Sequence, residues 1–146
     1  MKREDLIHSI AYAIARMEGF FLTEEEAAAR GLRWPTKAQR LANPGNIRKW
    51  ADRPQTDGYV DFMKWAKYDP VKANLEGWRV LRVLIGQYID GKYTGGKSPT
   101  LYQFFERYAP AGDGNNPRKY AEFVAERVGI PPDVPLKEVI DADQKG

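Results

Sequence analysis

Glu18 is the residue of this 146-residue chain whose setting best fits acid/base chemistry. It closes the run from Leu6 to Gly19, where Leu6, Ile7, Ile10, Ala11, Ile14 and Met17 repeat with the period of an amphipathic helix. Stepping along that stripe from Ile7 through Ala11 and Ile14 leads to position 18. A hydrophobe is expected there, and a glutamate stands in its place. Gly19 suits closure of a helix in the left-handed conformation. A carboxylate at the edge of an apolar face, beside the negative end of a helix dipole, is expected to hold its proton more tightly than usual. A carboxyl kept protonated near neutral pH is what a general acid requires. The same residue also reads as an ordinary solvated Glu in a last helical turn.

Composition removes most other chemistries. There is no Cys, so disulfides, thiolate metal sites and a Cys nucleophile are excluded. With His8 the only His, a His-based metal cluster and a Ser-His-Asp triad are excluded as well. No cofactor and no metal are implied, and an enzyme built from these residues runs on carboxylates, Tyr or Lys. Hydrophobic content of 42% and charged content of 29% are those of an ordinary globular domain. The net charge of +3 favours anionic polymers without choosing among nucleic acid, lipid surface and cell wall. No stretch approaches the ~20 apolar residues of a membrane span. Met1-Lys2-Arg3-Glu4-Asp5 lacks the apolar core of a secretory signal, so the expectation is synthesis in the cytoplasm and export, if any, by another route.

Several local signals place elements around Glu18. Thr23 to Glu26 and Thr36 to Gln39 have capping-box spacing and open short helices. Asn43-Pro44-Gly45-Asn46-Ile47 marks a tight turn. The aromatic-rich stretches Ile47 to Trp50 and Tyr59 to Trp65 read as a small two- or three-stranded sheet around a polar loop. Asp69-Pro70 opens a long helix carrying Val71, Leu75, Trp78, Leu81, Val83, Leu84, Ile85, Tyr88 and Ile89, broad enough in its apolar face to be the central buried helix. Gly77 and Gly86 inside it point to close packing or a ligand-facing surface. Ser98 or Thr100 starts a further helix through Tyr108, Asn116-Pro117 another that closes at Gly129, and Leu136 to Ile140 forms a last amphipathic turn. The fold class is α+β, predominantly helical with a small β-sheet, and residues 1–146 read as one domain.

Four features in this order resemble the lysozyme-like superfamily of glycan-cleaving enzymes: Glu18-Gly19, Asn43 to Ile47, Gly77-Trp78 in a long helix, and Tyr108-Ala109-Pro110 followed by Asn115-Asn116-Pro117 and Tyr120. The likeness is to phage-type lytic transglycosylases and endolysin-like proteins that carry an N-P-G-N-[IL] turn. More distantly, the chain resembles bacterial glucosaminidases, whose corresponding turn reads N-L-F-G-I and whose late segment reads Tyr-Ala-Thr-Asp-x-x-Tyr. It spans Ile7 to Gly129. Each motif alone is weak, and their order is what carries specificity. The resemblance implies a lysozyme-like fold, Glu18 as the catalytic general acid, Asn43 and Asn46 lining the cleft, and Tyr108 or Tyr120 as a cleft-wall residue.

The substrate class implied is bacterial peptidoglycan, cut by a lytic transglycosylase at the MurNAc-β-1,4-GlcNAc bond. There Glu18 would protonate the leaving oxygen and then, as carboxylate, take a proton from the sugar's C6 hydroxyl. A hydrolytic muramidase or glucosaminidase would instead need a partner carboxylate. Asp57 and Asp61 are candidates, although a turn residue and an outward strand position describe them equally well. Trp50 and Tyr59 flank the polar loop and are candidate sugar-stacking residues, whereas Trp78 and Phe104 read as core. The resemblance also implies a monomer acting at the cell wall, in the periplasm, in a phage-lysis or virion context. A non-catalytic virion or cell-wall-binding domain is the alternative outside enzymes. A DNA-binding reading lacks a continuous basic helical face, and no nucleic-acid partner is expected.

Overall fold

The computed structural model describes the backbone of residues 1–144 and the side chains of 1–112 and 114–140. Eight α-helices are found there: α1 (Arg3–Met17), α2 (Glu24–Ala29), α3 (Lys37–Arg40), α4 (Phe62–Trp65), α5 (Pro70–Ile89), α6 (Leu101–Tyr108), α7 (Pro117–Val128) and α8 (Leu136–Gln144). A hairpin of β1 (Gln55–Thr56) and β2 (Tyr59–Val60) completes the regular structure with a 3-10 turn at Ala111–Asp113. The chain is thus mostly helical with a two-stranded antiparallel sheet. Among the described residues no helix is long and apolar enough to cross a membrane.

Local chemistry explains the helix starts. Thr23, Thr36 and Thr100 each accept from the backbone N–H three residues on, and Glu26, Gln39 and Gln103 return the bond to the cap's own N–H. Asp69 accepts from the N–H groups of Val71 and Lys72 ahead of Pro70, and Asn116 accepts from Lys119 ahead of Pro117. These starts fall where the capping patterns place them.

The chain forms two compact units. One, here the hairpin unit, is Ile14–Arg82; the other, the helical unit, is Met1–Ala13 together with the chain from Val83. The hairpin unit buries Ile14, Ala15, Leu41, Ala42, Ile47, Val60, Phe62, Ala73, Val80 and Leu81. The helical unit buries Leu6, Ile10, Ile85, Ile89, Leu101, Phe104, Phe105, Val124 and Leu136, with α6 packed on α7.

Two expectations are corrected. Ile47 to Trp50 is not a strand, and Tyr59 to Trp65 is strand only at Tyr59–Val60. Asp61 ends the strand: its Oδ1 accepts from the Lys64 N–H at 2.9 Å and starts α4, so the aromatic run turns helical at Phe62. The hairpin instead folds back through Asp57-Gly58, both with positive φ (52° and 82°), pairing Thr56 with Tyr59 and Gln55 with Val60. An Asp-Gly pair at that position is a strong hairpin signal, and it outweighs the aromatic content of the neighbouring segments. The second correction concerns α5. Val71 and Leu75 are exposed (69% and 68%), and the buried stripe runs through Ala73, Gly77, Val80, Leu81 and Ile85. The small residues Ala73 and Gly77 allow close approach, so they rather than the bulkier Val71 and Leu75 face the interior.

Candidate functional site

The site is built from the end of α1. Phe20 N–H donates to Ala15 C=O and Gly19 N–H to Arg16 C=O, with Gly19 at φ 77°, the paired bonds of a Schellman closure. Glu18 is its C-cap residue. That closure fixes the backbone from which the Glu18 side chain projects, and the side chain is half-buried. Asn46 Nδ2 donates to Glu18 Oε2 at 2.9 Å. Asn46 sits at φ 48°, a left-handed conformation that asparagine tolerates better than other non-glycine residues. Its Oδ1 is buried and has no hydrogen-bond partner. An amide in this position serves either state of the carboxyl. Its N–H groups bond a carboxylate, and rotation of the amide presents Oδ1 to a carboxylic O–H.

The turn carrying Asn46 is held from below by Asn43. Asn43 is fully buried, accepting from the Ile47 N–H at 2.9 Å and donating to the carbonyls of Ile47 and Val60 at 2.9 and 3.0 Å. This corrects its expected place on the cleft wall. With no exposed surface and both amide hydrogens engaged, it ties the turn to β2 rather than meeting a ligand. Gly77 does the complementary work on the helix side. A Cβ there would lie 2.1 Å from Ala42 O and 3.0 Å from Pro44 Cδ, so only glycine lets α5 close on this turn.

Immediately before Gly77, Glu76 is buried and binds Arg53 and Arg79, each at 2.5 Å. The hydrogen bonds from Arg79, aided by those from Arg53 and opposed by burial, pull the Glu76 carboxyl down to about 2. Arg53 also lies over the Trp65 ring, 4.6 Å from its centroid. Glu76 is therefore a fixed anion that anchors the loop before β1 to α5, and its charge is committed.

The remaining expected residues separate into distinct places. Tyr59 is half-buried in the hairpin unit with Lys37 Nζ 4.5 Å and Arg48 Cζ 5.3 Å from its ring centroid. Trp50 is half-buried and its carbonyl accepts from the Arg53 N–H. Tyr108 and Tyr120 belong to the helical unit. Tyr120 is stacked on Phe105 at 4.4 Å and only 5% exposed, which corrects its expected place on a cleft wall: it is core. Tyr108 is half-buried and edge-on to Phe105, Tyr88 and Tyr120. Asp61 is 7% exposed, with Oδ1 capping α4 and Oδ2 accepting from Thr56 Oγ1 at 2.6 Å, in place of the outward strand position expected. Asp57 is an exposed turn residue.

Sequence reasoning missed an aromatic group built from the two residues that follow Gly19. Phe20 meets Trp78 edge-to-face at 5.5 Å, and Phe21, 41% exposed, stacks on Trp78 at 6.0 Å. Trp78 was expected in the core and is instead half-buried. The adjacency of Phe20-Phe21 to Glu18 was a visible signal, but its pairing with Trp78 is tertiary. Among the described residues no three His, Cys, Asp or Glu side chains gather in a metal-holding group. Comparison with protein-family models, curated proteins and solved structures finds no match to this chain.

Proposed function

We propose that this protein cleaves the glycan strands of bacterial peptidoglycan as a lytic transglycosylase, with Glu18 as the one acid/base group. The observation that carries the reading is the Asn46 Nδ2 to Glu18 Oε2 bond, which joins the cap of an apolar helix to the Asn-Pro-Gly-Asn turn. In this reaction Glu18 donates its proton to the glycosidic oxygen as the bond to the anomeric carbon breaks and positive charge develops there. The resulting carboxylate then takes the proton of the C6 hydroxyl, whose oxygen closes on the anomeric carbon. An anhydro sugar leaves and Glu18 is again protonated. Asn46 can bond each form in turn. Phe21, exposed, and the half-buried Trp78 on which it stacks offer apolar surface for pyranose rings.

Asp61 supports one carboxyl over two. Both of its oxygens are engaged within the hairpin unit, so it is poorly suited to be a nucleophile or to activate water. The test is mass spectrometry of purified peptidoglycan treated with the wild type and with Glu18→Gln. Anhydro-muramyl products from the wild type, reduced by about 10³-fold in the variant, are expected. Reducing-end products lost in the variant would move the reaction to hydrolysis, and equal activity of the two proteins would remove Glu18 from the chemistry.

A further inference from the structure

Charge is unevenly distributed along the chain. Residues 30–53 hold seven Lys or Arg (Arg30, Arg33, Lys37, Arg40, Arg48, Lys49, Arg53) against Asp52 alone, a net +6, while the other residues hold 16 basic and 19 acidic, a net −3. All of residues 30–53 belong to the hairpin unit, and they surround the Asn43 to Ile47 turn in sequence. Two of these cations meet at one ring, and a third lies at another beside a lysine from outside the segment. Tyr59 has Lys37 and Arg48 over it, and Trp65 has Arg53 at 4.6 Å and Lys72 at 5.0 Å. Glu76 compensates Arg53 and Glu26 lies close enough to Arg30 to feel its charge, while Arg33 and Lys49 are exposed to solvent.

Like charges close to one another cost folding free energy through self-repulsion, and the π faces of Tyr59 and Trp65 offset only part of it. A polyanion would relieve the remainder. We infer that residues 30–53 form an electrostatic docking surface for the carboxylate-bearing stem peptides that flank the glycan strand. This rests on the peptidoglycan reading above and adds to it how the polymer is captured. Stem-peptide carboxylates fit better than nucleic-acid phosphates, because the cations are spread over helix ends, turn and loop rather than along one helix that could enter a groove.

The experiment measures binding of Glu18→Gln, which cannot deplete its own substrate under the proposed reaction, to purified sacculi across a salt series. Three further probes are sacculi whose carboxylates have been amidated, uncharged chitin, and duplex DNA. The docking surface predicts that affinity for native sacculi falls about tenfold between 50 and 200 mM salt. It also predicts a similar loss on amidated sacculi and in the charge-reversal variant R33E/K49E, whose positions are exposed and outside the site. Retention of circular dichroism and melting temperature by that variant separates lost charge from lost fold. Salt-insensitive binding, equal binding to amidated sacculi or chitin, or tighter binding to DNA would each overturn the inference. Failure of Glu18→Gln to lose cleavage would overturn the catalytic reading alone, since the binding series does not depend on it.

Discussion

The two glycines of α5 meet contrasting neighbours. At Gly77 the helix rests on the backbone of the Ala42–Pro44 segment, and around it lie directional polar bonds: Asn43 to Ile47 and Val60, Asn46 to Glu18, Glu76 to Arg53 and Arg79. At Gly86 the neighbours are the guanidinium of Arg3 at 3.2 Å and Ile7 Cδ1 at 3.6 Å, within a unit whose interior is aromatic and aliphatic. There Tyr88, Phe104, Phe105, Tyr108 and Tyr120 stack ring on ring, and burial pushes the Tyr88 hydroxyl up to about 12. Apolar packing tolerates small shifts because dispersion contacts are many and weak. A few hydrogen bonds fix angle as well as distance. The carboxyl proposed for chemistry belongs to the unit held in the second way.

That contrast can be broken most severely at Gly77. Gly77→Ala forces a methyl against a carbonyl oxygen that belongs to backbone, and a loss of about 4 kcal/mol or failure to fold is expected in urea denaturation. Asn43→Ala comes next, at about 3 kcal/mol, because buried backbone groups of Ile47 and Val60 lose their partner. If its stability falls by less than ~1 kcal/mol, the turn is held by something other than Asn43.

Asn46→Ala separates positioning from stability. Under the proposed reaction it lowers cleavage by about 10²-fold while shifting the melting temperature by only a few degrees. A large melting shift would make Asn46 a structural brace like its neighbour.

Acid titration tests the Glu76 cluster. Its folded-state value, about 2, lies below its ordinary 4.5. The ion pairs therefore stabilise the protein in full above about pH 5, and that contribution is lost as the pH falls toward 2. The loss expected is about 2 kcal/mol, discounted for the half-exposed Arg79, and Glu76→Gln should flatten the stability profile in that range.

The smallest effect is expected at Gly86→Ala, within about 1 kcal/mol in the same urea assay. Its new methyl meets the end of a flexible arginine, and the gain in helix propensity offsets the crowding. Equal costs at Gly77 and Gly86 would erase the contrast between the two units.

Much of this was legible in the residues. The helix starts at Thr23, Thr36, Asp69, Thr100 and Asn116 follow from side chains that satisfy nearby N–H groups, a bond made within three residues and hence readable locally. Glu18-Gly19 as a helix end follows equally from local rules. The aromatic run from Tyr59 to Trp65 was misread because strand propensity depends on neighbours the sequence does not display, whereas the Asp61 cap is a single bond that ends the strand outright.

What the sequence determined by itself is therefore the set of local, hydrogen-bonded elements, the mostly helical class, and the isolation of Glu18 where its stripe demanded a hydrophobe. Tertiary structure alone decided that Asn43 is buried while Asn46 reaches Glu18, that Tyr120 is core, that Trp78 pairs with Phe21, and that α5 closes on the turn at Gly77. The physical reason is range. Caps and turns are fixed by atoms a few residues apart, but whether a polar side chain faces a carboxylate or a backbone carbonyl depends on segments 17 to 28 residues away that meet only when the chain has folded.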